Sequence, residues 1–258
     1  MSLATSNGTT LICLAMDDGV FLAADDLVYT ELDGKATPSG RSFTKVCVFG
    51  DVLIGTAGLM VDSALKYDVQ SWITDFIESH GRTASKLPSA ISQAIWDQLR
   101  HTFEPTEPLV KQGYWESHRP GDRILSYIVA GYTESFKQAY VFETGVEINR
   151  QGDGLTYVSP LHHKKQLPHN VYFGEDYFLE RASKGLEPER SHFLKTVEDI
   201  GPTIKQLLPD IPGTLQEGLA GAVSLIKVEA HFNPDKVGST VKVALINRRN
   251  RKSYLSTF

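Results

Sequence analysis

The sequence predicts an α+β protein of two sheets with helices on the outside, and three observations carry that prediction. Apolar runs of strand length come in pairs around tight-turn signals. Between those pairs the apolar spacing changes to the 3.6-residue period of a helix. The blocks follow in the order strands, two helices, strands, helices, strands, a segregation that argues for layers rather than alternating βα units. Of 258 residues, 41% are hydrophobic and 22% charged, enough for one substantial core. No repeat, linker or low-complexity segment divides it, so residues 9–258 read as a single domain behind a short flexible leader, residues 1–8.

Taken in order, residues 9–16 and 20–24 flank Asp17-Asp18-Gly19 and read as a hairpin buried on both faces. Residues 29–44, polar with glycine and proline, read as a loop with at most a short strand. Residues 46–49 and 52–56 around Gly50-Asp51 form a second hairpin. From Gly58 a helical stripe begins (Val61, Leu65, Val69, Trp72, Ile73, Phe76), which Gly81 closes. Pro88 opens a second helix with the stripe Ile91, Ile95, Leu99, Phe103. Residues 104–122, with three prolines, read as a long surface loop. A third strand pair spans 125–131 and 138–142, with a return strand near 154–158 and a loop over 160–170. Helical patterns follow at 176–184 and at 190–208, the latter interrupted at Gly201-Pro202. Thr214-Leu215-Gln216-Glu217 reads as a capping box opening a helix with apolar Leu215, Leu219, Ala222, Val223 and Ile226. Strands at 241–246 and 254–255 end the chain.

The totals exclude several functions. A net charge of −5 gives no global pull toward nucleic acid or anionic lipid. No apolar run approaches membrane-spanning length, and residues 1–8 have neither the charged nor the apolar region of a signal peptide. Cys13 and Cys47 sit in strand-like runs and read as free thiols, so a reducing, cytoplasmic setting is expected. The run 50–56 lacks the lysine of a phosphate loop and is a strand. His162, His163 and His169 read as a wet basic loop, because adjacent histidines on an extended chain point apart. Arg248, Arg249, Arg251 and Lys252 read as a solvated hairpin tip. No metal or other cofactor is expected.

The candidate chemistry lies at Gly8-Thr9-Thr10. A threonine hydroxyl is a poor nucleophile until a base removes its proton. Cleavage after Gly8 would give Thr9 an α-amino group, whose pKa near ~7.7–8.0 leaves a useful neutral fraction at physiological pH. The turn at residues 17–19 brings residues 9 and 25 to the same end of the hairpin. Asp25, or its neighbour Asp26, could then serve as carboxylate. Lys45, with Arg41 as the rival, could supply a cation that lowers the hydroxyl pKa. Gly58, ending a strand and opening a helix, could donate its backbone N–H to an oxyanion.

These elements resemble a proteasome β-type subunit of the N-terminal-nucleophile hydrolase superfamily. The resemblance is carried by Gly8-Thr9-Thr10, by Gly19 through Asp25, by Lys45-Val46, and by Ala57-Gly58 with Asp62 into the helical region. Val129-Ala130-Gly131-Tyr132 is similar to a later segment of that family, and the run from Asp235 to Val241 to another. The resemblance implies a four-layer αββα sandwich of two antiparallel sheets flanked by helices. It implies Thr9 as nucleophile, Asp25 and Lys45 as the charged pair, Gly58 as oxyanion donor and Asp235 as supporting aspartate. Pocket positions fall on Val28, Cys47, Thr56 and Met60. The implied activity is that of a threonine-type endopeptidase that processes itself. Its substrate is a peptide or unfolded protein, its copies form a homo-oligomeric ring, and an ATPase unfoldase is a partner.

The sequence also departs from the family. Glu175, in Phe173-Gly174-Glu175-Asp176, stands where the family has a serine that holds the threonine amine, and Gly238-Ser239 inverts the family's order. Extra length at 104–122 and 185–212 suits a divergent bacterial-type relative. Two alternatives follow: a non-catalytic assembly subunit that keeps its leader, and an amidase of the same superfamily acting on small amides.

Overall fold

The computed structural model describes residues 5–7, 10–32, 35–42, 44–58, 61–62, 67–84, 88–100, 123–133, 135, 138–150, 156–165, 170–173 and 187–258. The strands of the first half are β1 (Thr5–Asn7), β2 (Leu11–Met16), β3 (Gly19–Asp25), β4 (Leu27–Leu32), β5 (Lys35–Ser42), β6 (Val46–Phe49), β7 (Val52–Gly58), β8 (Val61–Asp62) and β9 (Tyr67–Asp68). Helices α1 (Val69–Ala84) and α2 (Pro88–Arg100) follow, then β10 (Arg123–Tyr132), β11 (Ala139–Arg150), β12 (Thr156–Lys165) and β13 (Asn170–Phe173). The chain ends with α3 (Glu187–Leu207), α4 (Gly213–Phe232), β14 (Val241–Asn247) and β15 (Lys252–Thr257).

Three clusters of buried side chains define four layers. One sheet has the order β13-β2-β3-β14-β15 and the other β12-β11-β10-β7-β6, with every pairing antiparallel. Alternation along each strand sends successive side chains to opposite faces. Leu11, Cys13, Leu22 and Ala244 of the first sheet thus meet Leu53, Ile128, Ala130 and Val141 of the second. The outer face of the first sheet (Ile12, Phe21, Val243, Leu245) packs on Ile204 of α3 and on Leu215, Leu219 and Ile226 of α4. The outer face of the second (Ile54, Tyr127, Val129, Phe142) packs on Ile73 and Phe76 of α1 and Ile91 and Ile95 of α2. The architecture is therefore the αββα sandwich. Burial on both faces explains why β2 and β3 read as unbroken apolar runs.

A third sheet, β5-β4-β1-β8-β9, was not foreseen. The polar segment 29–44 is mostly the β4–β5 hairpin, and residues 5–7 form β1, paired on both of its edges. Neither carries an apolar alternation, so backbone pairing rather than patterning makes these strands. The helical stripe from Gly58 also fails at its start. Val61 is in β8 and α1 begins at Val69; the helix runs past Gly81 to Ala84. Val61 has the helical phase by coincidence and is claimed by strand pairing across the register Ser6↔Val61. The expected loop over 160–170 is β12 as far as Lys165, with Asn170 opening β13. The expected return strand is β12 itself, and His162 and His163 stand on it in register with Thr144 and Glu143. The readings at residues 104–122 and 176–184, and at Phe103 and His169, lie outside the described residues.

In α3 the helix continues through Pro202, which is exposed. Proline lacks an N–H and crowds the preceding turn, but solvent on that side can serve the carbonyl left over. The capping box does not form. Pro212 is the N-cap of α4, and the Thr214 hydroxyl turns away to donate to Asp18 Oδ2 at 2.7 Å. The basic hairpin tip is likewise more than a solvated turn. Arg248 Nη1 donates to the Asp17 carbonyl and Arg249 Nε to Asp18 Oδ1, both at 3.0 Å, so the tip clamps the β2–β3 turn. The Thr214 hydrogen bond is the main influence holding the Asp18 carboxyl below its ordinary value. That contribution is full above the unfolded carboxyl pKa and is lost as pH falls through the lowered folded value. Thr214→Val should therefore lower stability by about 1 kcal/mol or less at neutral pH and by nothing in acid. Denaturant midpoints of both proteins at the two pH values check this.

Candidate active site

The site is built where β3 ends beside the start of β2. Asp25 is the last residue of β3, and its carboxylate is 1% exposed. A carboxylate so placed needs donors, because an unpaired buried charge is prohibitively costly. Four groups supply them. Lys45 Nζ lies 3.0 Å from both Oδ1 and Oδ2; the N–H of Thr10 reaches Oδ1 at 2.7 Å; those of Leu27 and Gly238 reach Oδ2 at 3.0 and 3.1 Å. Lys45 is itself 1% exposed, precedes β6 and also donates to the Leu27 carbonyl. Burial pushes its ammonium below the ordinary lysine value, against the opposing pull of Asp25. The pair is a buried ion pair fixed by backbone donors from three separate segments.

Thr10 connects this pair to α4. It is fully buried, and its hydroxyl donates to Glu229 Oε2 at 3.1 Å. Thr10 is thus held twice, by Asp25 at its N–H and by Glu229 at its side chain. Glu229 was missed in the sequence, although a signal was present. It lies three residues beyond Ile226 and so continues the apolar stripe of α4, where a carboxylate calls for a partner.

The remaining predicted residues fall as follows. Gly58 ends β7 with φ of 95°, a left-handed value that suits glycine, but a strand rather than a helix follows it. Its N–H is therefore not at a helix N-terminus. Asp235 is exposed on the turn after α4, and the structure does not bring its side chain to Asp25, Lys45 or Thr10. The same turn instead contributes the backbone N–H of Gly238. A Cβ at position 238 would lie 2.7 Å from Asp26 Oδ1 and 2.9 Å from Leu27 N, so glycine must precede Ser239 in this chain. Of the rival acids, Asp25 makes the ion pair and Asp26 acts on Lys45 only as a nearby charge. Arg41 lies on β5. Among the pocket positions, Val28 is buried against the α1–α2 side, Thr56 is buried with its N–H on the Lys45 carbonyl, and Cys47 is half-buried. Burial pushes the Cys47 thiol up. Gly8, Thr9, Met60 and Glu175 lie outside the described residues. Neither Cys13 nor Cys47 is in a disulfide.

No family model and no curated protein sequence matches the chain. Solved structures do, over nearly the whole length. One such structure is the Anbu (Gly-1) mutant from Hyphomicrobium sp. strain MC1. It is 12% identical with a TM-score of 0.51, over 97% of this chain and 88% of that one. Anbu, described as an ancestral β-subunit, from Yersinia bercovieri is 11% identical with a TM-score of 0.46, over 95% and 86%. BPH from Thiobacillus denitrificans, in complex with epoxomicin, is 14% identical with a TM-score of 0.43, over 92% and 98%. This chain has the fold of the Hyphomicrobium Anbu. Among the described residues no helix is long and apolar enough to cross a membrane.

Proposed function

We propose that this protein is a threonine-type peptidase whose nucleophile, Thr9, is exposed by cleavage after Gly8. The observation that carries the reading is the buried Asp25–Lys45 pair, bonded to the N–H of the residue that directly follows Thr9. In the proposed reaction the Thr9 hydroxyl loses its proton to the free α-amine and attacks the substrate carbonyl carbon. Lys45 favours the alkoxide by its charge, and the Gly58 N–H faces the oxyanion. The C–N bond then breaks, the amine leaves with the proton, and water hydrolyses the Thr9 ester.

The third sheet supports an extended peptide over a small amide. Residues 5–7 lie on the acyl side of the Gly8–Thr9 bond, and β1 pairs with β4 and β8. A substrate attacked by Thr9 would offer its own acyl-side residues to the same two strand edges once the leader has gone. A cytoplasmic ring of like copies, fed by an ATPase unfoldase, completes the proposal and rests on the sequence resemblance. A stable monomer on size-exclusion chromatography would contradict it.

One observation favours a second reading. A leader strand paired on both edges suits a non-catalytic subunit that is never cut. Intact mass decides between the two. Loss of residues 1–8 from the wild type, abolished in Thr9→Ala, is the expected result, together with covalent labelling of Thr9 by a peptide epoxyketone. A full-length chain that the epoxyketone leaves unlabelled would remove the peptidase reading.

A further inference from the structure

We infer that Glu229 is a positioning residue for the nucleophile, acting through Thr10; the inference rests on the reading of Thr9 as nucleophile. Glu229 is fully buried and stands in the last turn of α4, which ends at Phe232. Both facts work against a carboxylate. Burial removes its hydration, and the C-terminal end of a helix repels negative charge. The position also belongs to an apolar face, with Val223, Ile226 and Ala230 packed in the core beneath α4. The carboxylate there accepts from the Thr10 hydroxyl, 3.1 Å from Oε2 across a sequence separation of 219 residues.

That contact matters because of what else Thr10 does. Its N–H is donated to Asp25 Oδ1 at 2.7 Å, and the same Asp25 holds Lys45. A peptide unit is planar, so fixing the N–H of Thr10 fixes the plane it shares with the preceding residue. One hydrogen bond along that plane leaves rotation about its own axis. The second, from the Thr10 side chain to α4, removes that freedom. Gly238, just after the same helix, binds the other oxygen of Asp25. The end of α4 therefore clamps both members of the contact: Thr10 through Glu229 and Asp25 through Gly238. Glu229 sets where the residue before Thr10 is held.

The test compares Glu229→Leu, Glu229→Gln and Thr10→Val with the wild type, by rate of epoxyketone labelling and by kcat and KM on a fluorogenic peptide. Glu229→Leu and Thr10→Val should each lower kcat and the labelling rate on the order of 10²-fold, with KM nearly unchanged, because misplacing a reacting group by about an ångström costs that much. Glu229→Gln keeps an acceptor oxygen for the Thr10 hydroxyl and should restore the rate to within about threefold of wild type. The double variant Glu229→Leu/Thr10→Val should be no slower than either single variant, since both remove one contact. Equal labelling rates in the wild type, Glu229→Leu and Thr10→Val would overturn the inference while leaving the peptidase reading intact. So would a KM effect without a kcat effect, or a Thr10→Val protein of wild-type rate should Glu229→Leu fail to fold. A wild type that the epoxyketone does not label removes the peptidase reading itself, and this inference falls with it.

Discussion

Lys45→Met should destabilise the protein by about 3 kcal/mol or more and abolish turnover. Removing one partner of a buried ion pair leaves an uncompensated charge, at a typical cost of about 3–5 kcal/mol. Here the abandoned group is Asp25, which keeps the N–H donors of Thr10, Leu27 and Gly238. Those donors partly replace the ammonium and place the expected value at the lower end of the range. The decisive comparison is the double variant Asp25→Leu/Lys45→Met. For an isolated ion pair, a hydrophobic replacement of both members is often neutral or stabilising. In this protein it would orphan three backbone N–H groups, that of Thr10 buried and those of Leu27 and Gly238 partly buried, at about 1–3 kcal/mol for the buried one and less for the others. The double variant should thus be less stable than Lys45→Met alone. Denaturant unfolding of the three proteins reads this directly, and recovery of stability in the double variant would show that Asp25 serves only its lysine. Lys45→Met should also end both leader removal and peptide hydrolysis, which a mass spectrum and a fluorogenic assay report.

Gly145→Ala should cost about 3 kcal/mol or more and yield little folded protein. A Cβ at Gly145 would lie 1.9 Å from the Leu125 carbonyl oxygen and 2.9 Å from Ser126 Cα, all backbone of the neighbouring strand β10. The β10–β11 ladder shifts register between Arg123 and Leu125, beside the Leu125↔Val146 and Ser126↔Gly145 pairs. A side-chain clash can relax by a rotamer change, at about 1–3 kcal/mol; a backbone clash in mid-sandwich relaxes only by parting the strands. Gly221→Ala is the matched control. It lies inside α4, no proline follows it, and nothing outside its own helix backbone and chain neighbours lies within 4 Å of the added Cβ, so alanine there should stabilise by about 0.5–1 kcal/mol. Thermal melts of the two variants should move in opposite directions.

How much of this was legible in the sequence varied with the kind of force involved. The β2–β3 and β6–β7 hairpins were readable because Asp18-Gly19 and Gly50-Asp51 each divide strongly apolar runs, and local turn chemistry suffices for such pairs. The stripes of α2 and α4 were readable because burial imposes the helical period. What failed was structure held by distant pairing. β1, β4, β5 and β8 have no apolar alternation, and only partners elsewhere in the chain make them strands. The same division runs through the site. Asp25 and Lys45 could be placed at one end of a hairpin by counting residues. Gly238 contributes only a backbone N–H, which no residue type announces. Asp235, chosen by resemblance, sits on the exposed side of the turn that delivers Gly238.

The β1 strand would set a direction on the proposed maturation of this chain. While residues 5–7 are tethered to Thr10 by the intervening two residues, they face β4 and β8 at the effective concentration of an intramolecular segment, on the order of millimolar or above. The proposed cut after Gly8 would convert that segment into a short free peptide, whose local concentration would drop to that of bulk solution. Nothing would restore the tether, so the cut would act as a ratchet. Before it, the protein would compete against outside peptides with a copy of its own strand; after it, the two strand edges would be open to whichever peptide is most abundant nearby.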